Sequence, residues 1–174
     1  FRSLVGDILS AAELESNRYT MKIAPHSCNK LCREAITTVE HRKPEGVKLY
    51  YTSEVDDCYE LITDGQRVCQ ILINFLTNAE KHTTQGEIRL HCSLTENPGY
   101  VTFSVTDTGT GIPPEYSETI FERFEKADSF GQGTGLGLNI CRLIAERLKG
   151  KVLLDKEYKE GARFVFVLPV KKSI

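Results

Sequence analysis

Asn74, Asn78, Lys81 and His82 fall at offsets of 0, 4, 7 and 8 in the sequence. On a helix those offsets place all four on one stripe. Ile71, Leu72, Phe75, Leu76 and Ala79 occupy the other side and read as a core face. The stripe therefore offers two amides, one amine and one imidazole beside a buried surface. Amide oxygens are hard ligands that suit Mg²⁺, a cation that keeps several waters and draws its remaining oxygens from phosphates. A lysine one turn further on can meet a phosphate as a point charge. The same pattern also describes a plain solvated helix face, so the stripe gains meaning from its company.

The second group is Asp107-Thr108-Gly109-Thr110-Gly111-Ile112-Pro113, directly after a strand-like run. A strand delivers its last carboxylate to a fixed place, and the glycines after it permit close backbone approach. Such a carboxylate can accept a hydrogen bond from an exocyclic amine like that of adenine. A tight turn closed by an Asx-type bond explains the same residues. The third group is Gly131-Gln132-Gly133-Thr134-Gly135-Leu136-Gly137-Leu138. Alternate glycines free backbone N–H groups to wrap an anion, and the helix that follows adds the positive end of its dipole. The segment lacks the Gly-Lys-Ser/Thr of a P-loop and the βαβ setting of a dinucleotide fingerprint. Between the second and third groups lies Phe121-Glu122-Arg123-Phe124. Its two aromatics can anchor a lid over a bound nucleotide or simply pack in the core. Lys126 beyond them can reach a terminal phosphate or stay solvated.

The elements that must position these groups follow from periodicity. Residues 1–19 have helical spacing, with Leu4, Ile8 and Ala11 on one short apolar stripe that has little to bury against. Pro25 breaks that pattern. A helix over about 27–42 is opened by Ser27 or Asn29 as its cap. Strands are expected at 47–52 and 58–62, and Asp64 caps a long helix at about 65–82. Two alternating strands follow. Ile88, Leu90 and Cys92 share one face of the first, and Val101, Phe103 and Val105 share one face of the second. Asn97-Pro98-Gly99 is the turn between them. A short helix runs to about 121, and a further helix at 135–149 ends on Gly150 as its C-cap. Strands at 151–155 and 162–168 flank a turn at Glu160-Gly161. Strands in antiparallel pairs with helices between the pairs predict an α+β fold. Its form is a two-layer α/β sandwich, with helices on one face of a mixed, mostly antiparallel sheet.

Bulk composition narrows the function. The 174 residues suit one domain with a short appendage. Lys and Arg total 22 against 24 for Asp and Glu, which leaves no basic footprint for nucleic acid. No run of 18 apolar residues is present, so no helix is expected to span a membrane. The six cysteines form no Cys-x-x-Cys pair, and Cys28 with Cys32 makes a poor zinc site. Reduced cysteines used as small hydrophobes point to a cytoplasmic setting.

Taken in order, these groups resemble the catalytic domain of sensor histidine kinases, in the superfamily shared with gyrase, MutL and the heat-shock chaperone ATPases. Residues 70–83 (QILINFLTNAEKHT) resemble the N box and 107–113 the G1 box. Residues 121–124 resemble the F box and 133–138 the G2 box. The likeness runs from about residue 27 to 169. It implies the Bergerat ATP-binding fold, with ATP and Mg²⁺ as cofactors. Asn78 would ligate Mg²⁺ with Asn74 in support, and Lys81 would contact phosphate; Asn78 and Lys81 are the catalytic residues it implies. His82 would lie against adenine or sugar. Asp107 would take the adenine amine, with Gly109, Gly111 and Ile112 lining the adenine pocket. Phe124 would belong to the nucleotide site, and Gln132, Gly133, Thr134, Gly135, Leu136, Gly137 and Leu138 would hold the phosphates.

Three positions depart from the pattern. His82 stands where Tyr or Phe is commoner, Ala162 follows Gly161 where Ser or Thr is usual, and the segment from Glu125 to Gln132 is short. Residues 1–20 resemble the end of the family's second dimerisation helix, which leaves 21–174 as the catalytic domain. None of the four histidines sits in a phosphoacceptor box. The resemblance thus implies transfer of the γ-phosphoryl of ATP to a histidine on a dimerisation domain. It also implies a response-regulator receiver domain downstream and a parent that is a homodimer, with this chain alone a monomer. Related hydrolases place a Glu as base where Asn74 stands, and an amide cannot take that proton. An anti-sigma-type kinase would lack the 1–20 helix. A nucleotide-binding pseudokinase scaffold is the remaining alternative, and intact Asn78, Lys81 and Asp107 oppose it.

Overall fold

The computed structural model describes residues 4–16, 20–122 and 137–170. Its elements in order are α1 (Leu4–Glu15), β1 (Ala24–Ser27), α2 (Cys28–Val39), β2 (Val47–Ser53), β3 (Glu60–Thr63) and α3 (Gly65–His82). There follow β4 (Gly86–Ser93), β5 (Tyr100–Asp107), α4 (Gly137–Arg147), β6 (Lys151–Leu154) and β7 (Arg163–Pro169). Short 3₁₀ turns occur at Glu40–Arg42 and Pro114–Tyr116.

Five strands form one sheet in the order β2-β4-β5-β7-β6. β2 runs parallel to β4, and every other pairing is antiparallel. A parallel neighbour needs a crossover, and α3 supplies it. The inward residues are those the alternation marked. Ile88, Leu90 and Cys92 on β4 and Val101, Phe103 and Val105 on β5 are fully buried. They face Cys28, Leu31, Cys32 and Ala35 of α2, Ile71, Leu72, Phe75 and Leu76 of α3, and Ile140 and Ile144 of α4 in a single core. Phe164 of β7 sits at its centre, 5.4 Å from the Phe75 ring and edge-on to Phe121 at 6.0 Å. The outward face carries Arg89, His91, Thr106 and Arg163. This is the expected two-layer α+β sandwich.

The start of the chain differs from the sequence expectation in two ways. The strands at 47–53 and 60–63 do not pair. β3 pairs instead with β1, a strand hidden from the pattern by Pro25. The two-stranded ribbon has a local purpose, because β1 leads into α2 and β3 leads into α3. Ser27 caps α2 by accepting from Lys30 N, and Asp64 caps α3 by accepting from Arg67 N at 3.2 Å. Asp64 Oδ2 also accepts from Lys22 N at 3.0 Å. Asn29, the other candidate cap, is buried and donates to the Val55 carbonyl at 2.8 Å.

α1 also departs from expectation. It buries Ala11 and Leu14 and packs on α4, where Arg147 donates to the Leu14 carbonyl at 2.9 Å. Ile8 of the expected stripe is exposed, with Val5 and Leu9. At the end of α4 the left-handed residue is Lys149, with φ 65°, and not Gly150. Gly150 N donates to Ala145 O at 2.8 Å and Lys149 N to Glu146 O at 3.1 Å, which is a Schellman closure. Gly150 is needed one place later, because a Cβ there would collide with the Val167 carbonyl. None of the six cysteines forms a disulfide, and Cys28, Cys32, Cys92 and Cys141 are buried as small apolar groups. Among the described residues no helix is long and apolar enough to cross a membrane.

Candidate functional site

α3 sets the site's long axis. Its apolar stripe is driven into the core, and this turns Asn74, Asn78, Lys81 and His82 to the rim. Asn74, Asn78 and His82 are half-buried and Lys81 is exposed. From Asn74 to His82 the helix rises about 12 Å. Each end of this stripe meets one of the other chemical groups.

At the His82 end it meets the loop after β5. Thr110 N donates to the His82 carbonyl at 3.0 Å. Gly109 passes so close that a Cβ there would collide with the His82 carbonyl and lie 2.7 Å from Thr83 Oγ1. Asp107 is 1% exposed. Its Oδ1 accepts from Gly109 N at 2.9 Å and from Ala162 N at 3.1 Å. The first of these is the Asx-type bond, so the tight-turn reading and the anchored-carboxylate reading describe one structure. Burial pushes the Asp107 carboxyl above the usual carboxylate range, while the two N–H groups and the His82 imidazole pull the other way. Gly111 takes φ 75°, a left-handed conformation that glycine adopts without strain, and faces the Gly161 carbonyl. Gly111 and Ile112 line a cavity of about 320 Å³ with Tyr158, Gly161 and Ala162.

At the Asn74 end the stripe meets the start of α4. A Cβ on Gly137 would lie 3.2 Å from Asn74 Oδ1. The Asn74 Nδ2 is buried without a hydrogen-bond partner among the described residues. Leu138 packs against the core. Asn139 is buried, and its Nδ2 donates to the Phe121 carbonyl at 3.2 Å. Phe121 itself belongs to the core. Phe124, Lys126, Gln132, Gly133, Thr134, Gly135 and Leu136 lie outside the described residues.

The structure thus gathers Asn74, Asn78, Lys81, His82, Asp107, Gly109, Gly111, Ile112, Gly137 and Leu138 along one helix edge. Sequence reasoning missed Thr83, Asn139 and Tyr158. Thr83 is fully buried with its hydroxyl unpartnered among the described residues, and it borders Gly109. Tyr158 donates to the Asp107 carbonyl at 3.0 Å. Thr83 closes the N-box match, Asn139 follows the G2 match and Tyr158 lies outside every motif, so spacing gave none of them a chemical role.

Comparison with known proteins gives the family. Residues 63–172 match the family model described as histidine kinase-, DNA gyrase B-, and HSP90-like ATPase. The chain is 33% identical over 183 residues to the autoinducer 2 sensor kinase/phosphatase LuxQ of Vibrio harveyi, covering 97% of this chain and 21% of LuxQ. It is 32% identical over 170 residues to the adaptive-response sensory kinase SasA of Microcystis aeruginosa, covering 96% of this chain and 44% of SasA. The chain therefore spans only a part of the curated relatives it matches. Among solved structures, full-length ShkA in complex with AMPPNP superposes with a TM-score of 0.85 at 32% identity, over 98% of this chain and 36% of ShkA. Histidine kinase ThkA, solved in complex with the response regulator TrrA, gives 0.77 at 26% identity, over 97% of this chain and 46% of ThkA. The chain belongs to the histidine kinase-, DNA gyrase B-, and HSP90-like ATPase family, as a catalytic, ATP-binding domain of the sensor histidine kinase type.

Proposed function

We propose that this domain holds ATP–Mg²⁺ along α3, adenine toward Asp107 and phosphates toward Asn74 and the start of α4. From there it delivers the γ-phosphoryl group to a histidine on a dimerisation domain of its parent kinase. Asp107 carries the reading. It is a buried carboxylate held at Oδ1 by two backbone N–H groups, 2.9 and 3.1 Å away, at the end of a polar stripe of nucleotide length. Such a carboxylate is oriented before any ligand arrives, so accepting the adenine amine costs little reorganisation. His82 lies beside it against base or sugar. Gly109, Gly111 and Ile112 shape the base pocket because their backbones approach without side-chain bulk.

Lys81 meets the phosphate chain as a charge. The residues from Gln132 to Leu138 offer backbone N–H groups to the same phosphates, with α4 behind Gly137 and Leu138. Phe124 belongs to the same site. The donor set suits Mg²⁺ only in company with phosphate. Asn78 and Asn74 present neutral amide oxygens one turn apart. Among the described residues no cluster of three or more His, Cys, Asp or Glu could hold a metal alone. When bound, the ion neutralises charge on the phosphate oxygens. The protein's share is to position the γ-phosphorus in line with an incoming imidazole nitrogen. The P–O bond to ADP breaks as the P–N bond forms.

Residues 1–20 are read as the end of the dimerisation helix and 21–174 as the catalytic domain. Partners follow from that reading: the phosphoacceptor helices, a homodimeric parent and a response-regulator receiver domain. Six cysteines outside any disulfide support a reducing, cytoplasmic setting. Titration calorimetry with ATP–Mg²⁺ tests the site. Asp107→Asn should weaken binding by about 1–3 kcal/mol through the lost charged hydrogen bond. Unchanged affinity would remove the adenine assignment.

A further inference from the structure

Asp107 is held from behind as well as from the front. The turn between β6 and β7 closes over it through three hydrogen bonds, two to its backbone and one to its carboxylate. Asp107 N donates to Ala162 O at 2.9 Å, Ala162 N donates to Asp107 Oδ1 at 3.1 Å, and the Tyr158 hydroxyl donates to Asp107 O at 3.0 Å. Gly161 seals the contact, since a Cβ there would collide with the Asp107 carbonyl and lie 2.9 Å from its Oδ1. The first extends the β5–β7 ladder and the second holds the carboxylate itself, and both come from the Ala162 backbone, which any residue at that place could supply. The third is made by one side chain, and it grips the carbonyl at the point where β5 ends and the glycine loop begins.

We infer that Tyr158 is a positioning residue that sets base selectivity by fixing where the Asp107 carboxylate points. The inference rests on the adenine reading of Asp107 given above. The Asp107–Thr108 peptide that carries this carbonyl leads directly to Gly109, whose N–H holds Oδ1, so turning that peptide shifts a donor that aims the carboxylate. With the carbonyl tied to Tyr158, the carboxylate keeps one bearing toward the pocket. That bearing suits a donor amine, as adenine presents at its six-position, and repels the carbonyl oxygen that guanine presents there. Without the tie the carboxylate can turn aside, which costs adenine a hydrogen bond and relieves guanine of a repulsion. Tyr158 is suited to the role. It is half-buried, and burial, with Glu160 and Asp107 nearby, pushes its phenol above the usual range, so it remains a donor. It also lines the cavity shared with Gly111, Ile112, Gly161 and Ala162.

The test is calorimetric binding of ATP–Mg²⁺ and GTP–Mg²⁺ to the 174-residue chain in four forms: unchanged, Tyr158→Phe, Tyr51→Phe and Asp107→Asn. Tyr51→Phe is the matched control, because it removes a phenol hydroxyl bonded to Asn29 at the α2–β2 corner. Tyr158→Phe should weaken ATP roughly two- to tenfold, the range one neutral hydrogen bond spans, and weaken GTP less, so that the ATP:GTP preference narrows. Tyr51→Phe should lower the melting temperature comparably and leave that preference unchanged. A preference that stays constant in Tyr158→Phe while Asp107→Asn weakens ATP would overturn the role of Tyr158 alone. A preference that narrows equally in Tyr51→Phe would overturn it too, because general loosening would then explain both. Unchanged ATP affinity in Asp107→Asn would overturn the adenine reading and this inference together.

Discussion

Asp107 in the site and Glu80 on α3 are both buried carboxyl groups, and their surroundings differ. Asp107 has two N–H groups and an imidazole to support its charge, and burial still pushes it upward. Glu80, on α3 between Ala79 and Lys81, is 8% exposed with Oε2 unpartnered among the described residues. Burial pushes its carboxyl from 4.5 to about 7, with Arg42 pulling weakly the other way. A carboxyl raised in this way is still protonated in the folded chain at a pH where the unfolded chain has lost the proton. Stability contributed by that proton therefore falls as pH rises from about 4.5 to about 7, and the cost stays in place above. Glu80→Gln should raise stability at pH 8 by about 1–3 kcal/mol and change little at pH 4. Thermal melts at both pH values check this, and an equal gain at both would contradict the burial argument. Asn74 and Asn78 were legible as a pair from their spacing of four. Glu80 was not, because one residue's helical angle says nothing of what stands opposite it.

At the scale of elements, capping decides where the chemical stripe begins. Asp64 accepts from Arg67 N inside α3 and from Lys22 N outside it, so one side chain starts the helix and ties the preceding strand ribbon to it. Asp64→Ala should cost about 1 kcal/mol or somewhat more by chemical denaturation. The folded fraction should still bind ATP unchanged, since the stripe lies farther along the helix. A large loss of affinity would show that the cap also sets the stripe's angle. Asp64, Ser27 and the alternating faces of β4 and β5 were readable because caps and period-two patterns are local. β1 was not readable, because Pro25 conceals a strand that only β3 can pair with. The pairing of β2 was equally hidden, since its parallel neighbour β4 lies beyond α3. The Schellman closure at Lys149 was displaced by one residue, because the glycine after it serves packing against β7 and not the turn.

For the whole molecule, one layer of helices on a five-stranded sheet leaves, among the described residues, an edge where α3, the loop after β5 and the start of α4 converge. That convergence makes three separated motifs into one site. The motif order and the strand count made the architecture legible. The wall behind Asp107 was not legible, since Tyr158 and Gly161 reach it across 51 and 54 residues of sequence. α1 packs on α4 through Ala11 and Leu14 and leaves Val5, Ile8 and Leu9 exposed. The central claim is phosphoryl transfer from ATP held on this edge to a histidine elsewhere. Its most direct measurement mixes this chain with γ-labelled ATP, Mg²⁺ and a separately made dimerisation domain of the same kinase, then locates the label. The account predicts acid-labile label on a histidine of the dimerisation domain, none on this chain alone, and none with Asn78→Ala. Tight ATP binding with no label on any histidine would contradict it and leave a nucleotide-binding scaffold in its place.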